Sequence, residues 1–83
     1  MKPIKIYTTQ TCPHCLRAKR LLQKKNLPYE EIDVGWDDDA RMRLVQSTGR
    51  QTVPQIFIGD LHVGGSDELQ ALEARGELDP LLQ

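Results

Sequence analysis

The chain has 83 residues but only two cysteines, no surplus of either charge, no long apolar run, and no repeat, linker or low-complexity tract. Each shortage removes a class of explanation. Cys12 and Cys15 stand too close together to staple distant segments, so the pair is chemical rather than structural and the chain must fold by packing. A chain of this length has room for one modest core, and residues 1–83 read as a single domain, expected to act as a monomer. Without a long apolar run there is no spanning helix. Eleven basic residues against twelve acidic ones give no net field to draw nucleic acid or a membrane surface. Met1-Lys2-Pro3-Ile4-Lys5 passes directly into a strand pattern with no apolar leader, so a cytoplasmic location is expected.

What is present centres on Thr11-Cys12-Pro13-His14-Cys15. Two residues between thiols is a spacing that one helical turn can close into a disulfide when the first cysteine sits at the helix start. Pro13 suits the first helical position, where its missing N–H is no loss, and Leu16 to Lys25 follow without another proline or glycine. Cys12 then lies where unpaired backbone N–H groups converge. Those donors and the helix dipole should bring its pKa below the free value of about 8.5, which makes Cys12 the candidate nucleophile. Cys15 shares a helical stripe with Ala18, Leu21 and Leu22, while Arg17, Arg20 and Lys24 gather opposite on what reads as a solvated face. An exposed attacking thiol with a buried partner is the division of labour that dithiol exchange requires. Two other readings stand beside it: inert thiols, or half of a zinc site. Zinc takes four ligands, and the only further nitrogen donors are His14 and His62, with His14 wedged between the thiols, so no metal is expected.

Along the chain, Ile4 and Ile6 alternate with Lys5 and Tyr7 as a first strand, and Tyr29 to Val34 form a second with Ile32 and Val34 on one face. A strand, helix and strand of this length make a right-handed crossover with parallel strands. Asp37, Asp38 and Asp39 suit a helix start, Ala40 to Thr48 keep Leu44, Val45 and Arg41 on one side, and Gly49 ends that helix. Ile56-Phe57-Ile58 reads as a strand covered on both faces, Gly59-Asp60 as a hairpin turn, and Leu61-His62-Val63 as the returning strand. Ser66 is the expected N-cap of a third helix, with Asp67 and Glu68 in its first turn, Leu69 and Leu72 facing the core, and Arg75-Gly76 closing it. Leu78, Leu81 and Leu82 should cover the core. The order strand, helix, strand, helix, strand, strand, helix predicts an α/β domain with a four-stranded mixed sheet and helices on its faces.

Cys12-Pro13-His14-Cys15 after a first strand, Thr52-Val53-Pro54 before a third, and Gly64-Gly65-Ser66-Asp67 opening a last helix together resemble the glutaredoxins, in particular the small bacterial dithiol type. The resemblance runs almost end to end. It implies a thioredoxin fold with a cis peptide before Pro54, and glutathione as co-substrate. By position, Thr52, Val53 and Pro54 would line the glutathione groove, Gly65, Ser66 and Asp67 would hold the γ-glutamyl end, and Arg41 would take the glycine carboxylate. Val53 could pair with the ligand backbone like an added strand. Two positions depart from the family pattern. Thr9 stands where a lysine is frequent, and His14 where a tyrosine is common. Cys-Pro-His-Cys is also similar to the active site of strongly oxidising periplasmic thiol oxidases, which are larger and secreted. A histidine here is expected to favour the reduced, ionised Cys12 and make the pair more oxidising.

The resemblance thus implies a glutathione-dependent oxidoreductase acting on disulfide-containing or glutathionylated proteins. Alternatives are a glutaredoxin-like protein reduced by thioredoxin reductase and a [2Fe-2S] cluster carrier in which Cys12 of two protomers and two glutathiones are ligands. A passive peptide-binding module ranks third, because it gives Cys12 no reason for its placement.

Overall fold

Alternation of Ile4, Ile6 and Thr8 with Lys5 and Tyr7 builds β1 (Ile4–Thr8), an inner strand whose buried residues all point one way. A computed structural model describes all residues 1–83. After β1 come α1 (Pro13–Lys24), β2 (Glu30–Asp33), α2 (Asp38–Thr48), β3 (Gln55–Ile58), β4 (Leu61–Gly64), α3 (Ser66–Ala74) and α4 (Leu78–Leu82). The sheet runs β2-β1-β3-β4. β1 and β2 are parallel with Tyr7 opposite Ile32, whereas β3 is antiparallel to both β1 and β4.

Local signals end the helices where the sequence reading placed them. Beyond α1, Asn26 takes a left-handed conformation (φ 58°) and lets Leu27 N–H donate back to the Leu22 carbonyl at 2.9 Å. Asp37 caps α2 by accepting from Ala40 N–H at 3.1 Å, and Gly49 (φ 70°) stops it. Only α3 starts differently. Gly65 is its N-cap and Ser66 its first residue, so the expected serine cap is corrected. Gly65 precedes the helix in an extended conformation (φ −97°, ψ −164°), and the buried Ser66 hydroxyl makes no hydrogen bond, so it caps no backbone N–H.

The core lies on one side of the sheet. Ile4, Ile6, Ile56 and Ile58 meet Ala18 and Leu22 of α1, Leu69 of α3, and Leu78 and Leu82 of α4. The sheet and three expected helices are present, and the tail adds α4 as a fourth. Leu78 and Leu82, four residues apart, fall on one face of that short helix and are both buried. Lys25, at the end of α1, joins Glu73 at 2.7 Å and Asp79 at 3.0 Å, and these carboxylates, Glu73 first, hold its ammonium above the usual lysine range. No helix is long and apolar enough to cross a membrane.

Candidate active site

Cys12 adopts an extended backbone conformation (φ −121°, ψ 105°) and is the N-cap of α1. Its carbonyl accepts from Leu16 N–H at 3.1 Å, and its sulfur accepts from Cys15 N–H, also at 3.1 Å. The sulfur thus does what a serine or aspartate oxygen does at other helix starts, satisfying a donor that the helix leaves open. Pro13 removes one further open N–H. The half-buried Cys12 thiol also donates to the Val53 carbonyl at 3.5 Å, across the Val53–Pro54 cis peptide that the resemblance implied.

Cys15 lies three residues further along the helix and is 1 % exposed. Both thiols are free. Burial, first, and the contact with the Cys12 sulfur together push the Cys15 thiol up to about 12, against the opposing effects of a backbone hydrogen bond at Thr9 and the charge of Lys19. At neutral pH Cys15 is a neutral thiol facing the core. The two cysteines therefore have the unequal settings that their spacing and stripe suggested.

His14, Thr52, Val53, Pro54, Gly65, Ser66 and Asp67, taken from three separate stretches of sequence, line one groove. The cause is topological. β3 and β4 carry the Thr52–Pro54 turn and the start of α3 to the same end of the sheet as the start of α1. The Thr52 turn is held from beneath by Gln55, which is fully buried. Its amide donates to the Thr52 carbonyl at 2.8 Å, and its oxygen meets His62 Nε2 at 2.6 Å. Because the Gln55 amide nitrogen is used on Thr52, His62 Nε2 is the donor in that contact. In the groove wall, Ser66 is 3 % exposed and its hydroxyl has no hydrogen-bond partner. Asp67 is exposed and lies 3.8 Å from Arg17.

Arg41 stands apart from this set. It lines a shallow hollow with Asp38, Met42, Val45 and Gln51, and Gln51 is the residue before Thr52. Thr9 lies behind Cys12, in a hollow shared with Leu16 and Lys19. Three residues were not expected at the site. Lys19 is four positions after Cys15 and so on its face, a signal that helical spacing carries. Arg50 and Glu68 complete the groove rim, and nothing in the sequence pairs one with the other.

The family model described as Glutaredoxin matches residues 4–63. The chain belongs to the glutaredoxin family. It is 51% identical over 82 residues to the glutaredoxin of Pseudomonas aeruginosa, spanning 99% of this chain and 98% of that protein. To glutaredoxin 3 of Escherichia coli K12 it is 48% identical over 83 residues, with both chains fully covered. Among solved structures, the glutaredoxin of Brucella melitensis superposes with a TM-score of 0.89 at 49% identity, over 99% of this chain and 89% of that one. A buckwheat glutaredoxin–glutathione complex gives 0.91 at 32% identity, over 98% and 76%. The fold is the thioredoxin fold. The protein is a thiol–disulfide oxidoreductase, and Cys12 and Cys15 are its only two cysteines.

Proposed function

We propose that this glutaredoxin uses glutathione as its reductant and acts on protein disulfides and glutathionylated proteins. The observation that carries the reading is the Ser66 hydroxyl, buried without a partner in a groove whose other wall is Thr52-Val53-Pro54, next to Cys12. A buried hydroxyl without a hydrogen bond is unfavourable, and a ligand carboxylate would supply the missing acceptor. In this reading the γ-glutamyl carboxylate meets Ser66 and the start of α3, Asp67 attracts the ammonium, Val53 pairs with the ligand backbone, and Arg41 attracts the glycine carboxylate. A buckwheat relative solved as a glutathione complex supports the choice of ligand.

The exchange balances as two displacements. Cys12 thiolate attacks the glutathione sulfur of a glutathionylated protein, the protein thiolate leaves, and Cys12 is left joined to glutathione. A second glutathione thiolate then attacks that glutathione sulfur, releasing glutathione disulfide and restoring Cys12. With a protein disulfide, Cys12 joins one substrate sulfur and Cys15, after losing its proton, attacks Cys12 to free the second substrate thiol. The pair has then given two electrons to the substrate and is left as the Cys12–Cys15 disulfide, which two glutathione thiols reduce with release of glutathione disulfide. During attack Cys12 gives up the hydrogen bond from Cys15 N–H, so that donor favours the reduced, ionised sulfur.

A coupled assay on a glutathionylated peptide tests this directly. Turnover with glutathione and glutathione reductase, and none with thioredoxin reductase alone, is expected. The reverse pattern would overturn the proposal.

A further inference from the structure

Arg50, in the turn after α2, and Glu68, in the first turn of α3, close the groove rim with an ion pair. The pair lies directly over the backbone of Gly64 and Gly65. A β-carbon on Gly64 would stand 2.8 Å from Glu68 Oε1 and 3.1 Å from Arg50 Nη1, and one on Gly65 would stand 3.9 Å from Arg50 Nη2. Two successive residues without side chains thus form a bed for the pair, and Gly64 (φ 119°) also needs glycine for its backbone. Arg50, first, and the backbone at Glu68 itself and at Gly65 hold the Glu68 carboxyl below the usual carboxylate range. Arg50 has Glu68 as its one side-chain partner. Its single side-chain hydrogen bond is from Nη1 to Glu68, which leaves its other guanidinium donors without partners in the chain. Both side chains remain about two-fifths exposed, at 41% and 40%, so water screens the pair and it is easily exchanged.

On the proposed glutathione reading, we infer that Arg50 is a specificity-determining residue for the ligand carboxylate and that Glu68 is its internal competitor. A carboxylate reaching Ser66 enters the groove that Arg50 borders. It can offer the guanidinium two parallel hydrogen bonds in place of the one from Glu68. The exchange leaves no buried charge behind, because Glu68 keeps its exposure to water. A thiol without a carboxylate has nothing to exchange, and meets a groove rim whose charge is already neutralised. Selectivity for an anionic thiol follows from differential binding rather than from a closed pocket.

The test is steady-state kinetics on one peptide presented as its glutathione and its cysteamine mixed disulfide, for wild type, Arg50→Gln, Glu68→Gln and the double variant. Arg50→Gln should raise KM for the glutathione form about three- to tenfold and lower the ratio of kcat/KM for the glutathione form over the cysteamine form. Glu68→Gln should lower that KM about two- to fivefold, because a neutral amide holds Arg50 less tightly than the carboxylate and releases it to the ligand. In the Arg50→Gln background the Glu68→Gln gain should vanish. An equal gain in both backgrounds would mean that Glu68 acts by simple repulsion, and an unchanged KM in Arg50→Gln would remove Arg50 from recognition. Either result overturns the inference. Should Glu68→Gln prove unstable, Glu68→Asp keeps the charge but shortens the reach. A lower KM then supports release of Arg50, and an equal or higher one opposes it. A wild type unable to turn over the glutathione form would instead sink the functional proposal on which this rests.

Discussion

On one face of the sheet Ile4, Ile6, Ile56 and Ile58 meet three helices in a continuous apolar layer, whereas on the other Tyr7, Phe57, Ile32 and Val34 are covered by α2 alone. α2 buries only Leu44, and a hollow edged by Arg43 and Ser47 remains between it and the strands. Tyr7 and Phe57 pack edge to face at 5.7 Å, and Phe57 lies 5.0 Å from the His62 ring, so much of that face is covered by aromatic side chains of the sheet itself. The distribution of chemistry follows the packing. α1 and α3 share the dense layer, and their starts carry Cys12 and Ser66. Thiol exchange needs sulfur and ligand aligned within a fraction of an ångström, which interlocked side chains can hold. α2 carries Arg41, and attraction between exposed charges tolerates a looser support.

The largest expected effect separates the rim of the dense layer from its interior. Cys12→Ser should abolish all exchange, while Cys15→Ser should retain reduction of glutathione mixed disulfides and lose most reduction of protein disulfides. Mass spectrometry after brief alkylation at neutral pH should find the label on Cys12, since Cys15 is buried and neutral. Label appearing first on Cys15 would invert the assignment.

Next comes the contrast between the faces themselves. Leu22→Ala, in the dense layer, should destabilise by about 3–4 kcal/mol, a large part of the total for a domain of this size. Leu44→Ala borders an existing hollow and should lose only about 1–2 kcal/mol, below the usual range for such a truncation. Urea unfolding of both variants measures the difference, and equal losses would break the comparison.

At the starts of the helices, stability and binding should part company. Ser66→Ala removes a buried hydroxyl that has no partner, so the fold should be unchanged or up to about 1 kcal/mol more stable. In the same variant KM for a glutathionylated peptide should rise about three- to tenfold. Arg41→Ala, on the loosely supported side, should raise KM by only about twofold, as expected for an exposed charge. A larger effect at Arg41 than at Ser66 would place recognition on the α2 side.

The smallest effect concerns acid. Partial burial pushes the Glu31 carboxyl up, but hydrogen bonds from Thr8 at 2.8 Å and Lys19 at 3.1 Å outweigh it and hold the group below the usual carboxylate range. Arg50, first among its partners, holds Glu68 low as well. A carboxyl lowered on folding stabilises above its ordinary pKa, and that contribution is lost as pH falls through the lowered value. Thermal melts between pH 6 and pH 3 should therefore decline less steeply for Glu31→Gln than for wild type, by a small margin because the group is solvent-screened. An unchanged slope would show that the Thr8–Glu31–Lys19 link, which ties β1 and β2 to α1, contributes nothing measurable.

The amino-acid sequence by itself determined the four strands, the first three helices with most of their ends, and the unequal thiols, because those depend on residues a few positions apart. Pro13 after Cys12, Asp37 before α2, Gly49 after it and the stripe from Cys15 through Leu22 act within one or two helical turns. It also carried the three motifs that meet at the groove, through their resemblance to a family whose fold brings them together. Tertiary structure alone decided how those motifs are finished. It left the Ser66 hydroxyl buried without a partner, set Arg41 in a neighbouring hollow, and laid Arg50 across Gly64 and Gly65 onto Glu68. Residues 50 and 68 are joined by the sheet order and not by any local period, so their contact exists only once β3 and β4 have paired.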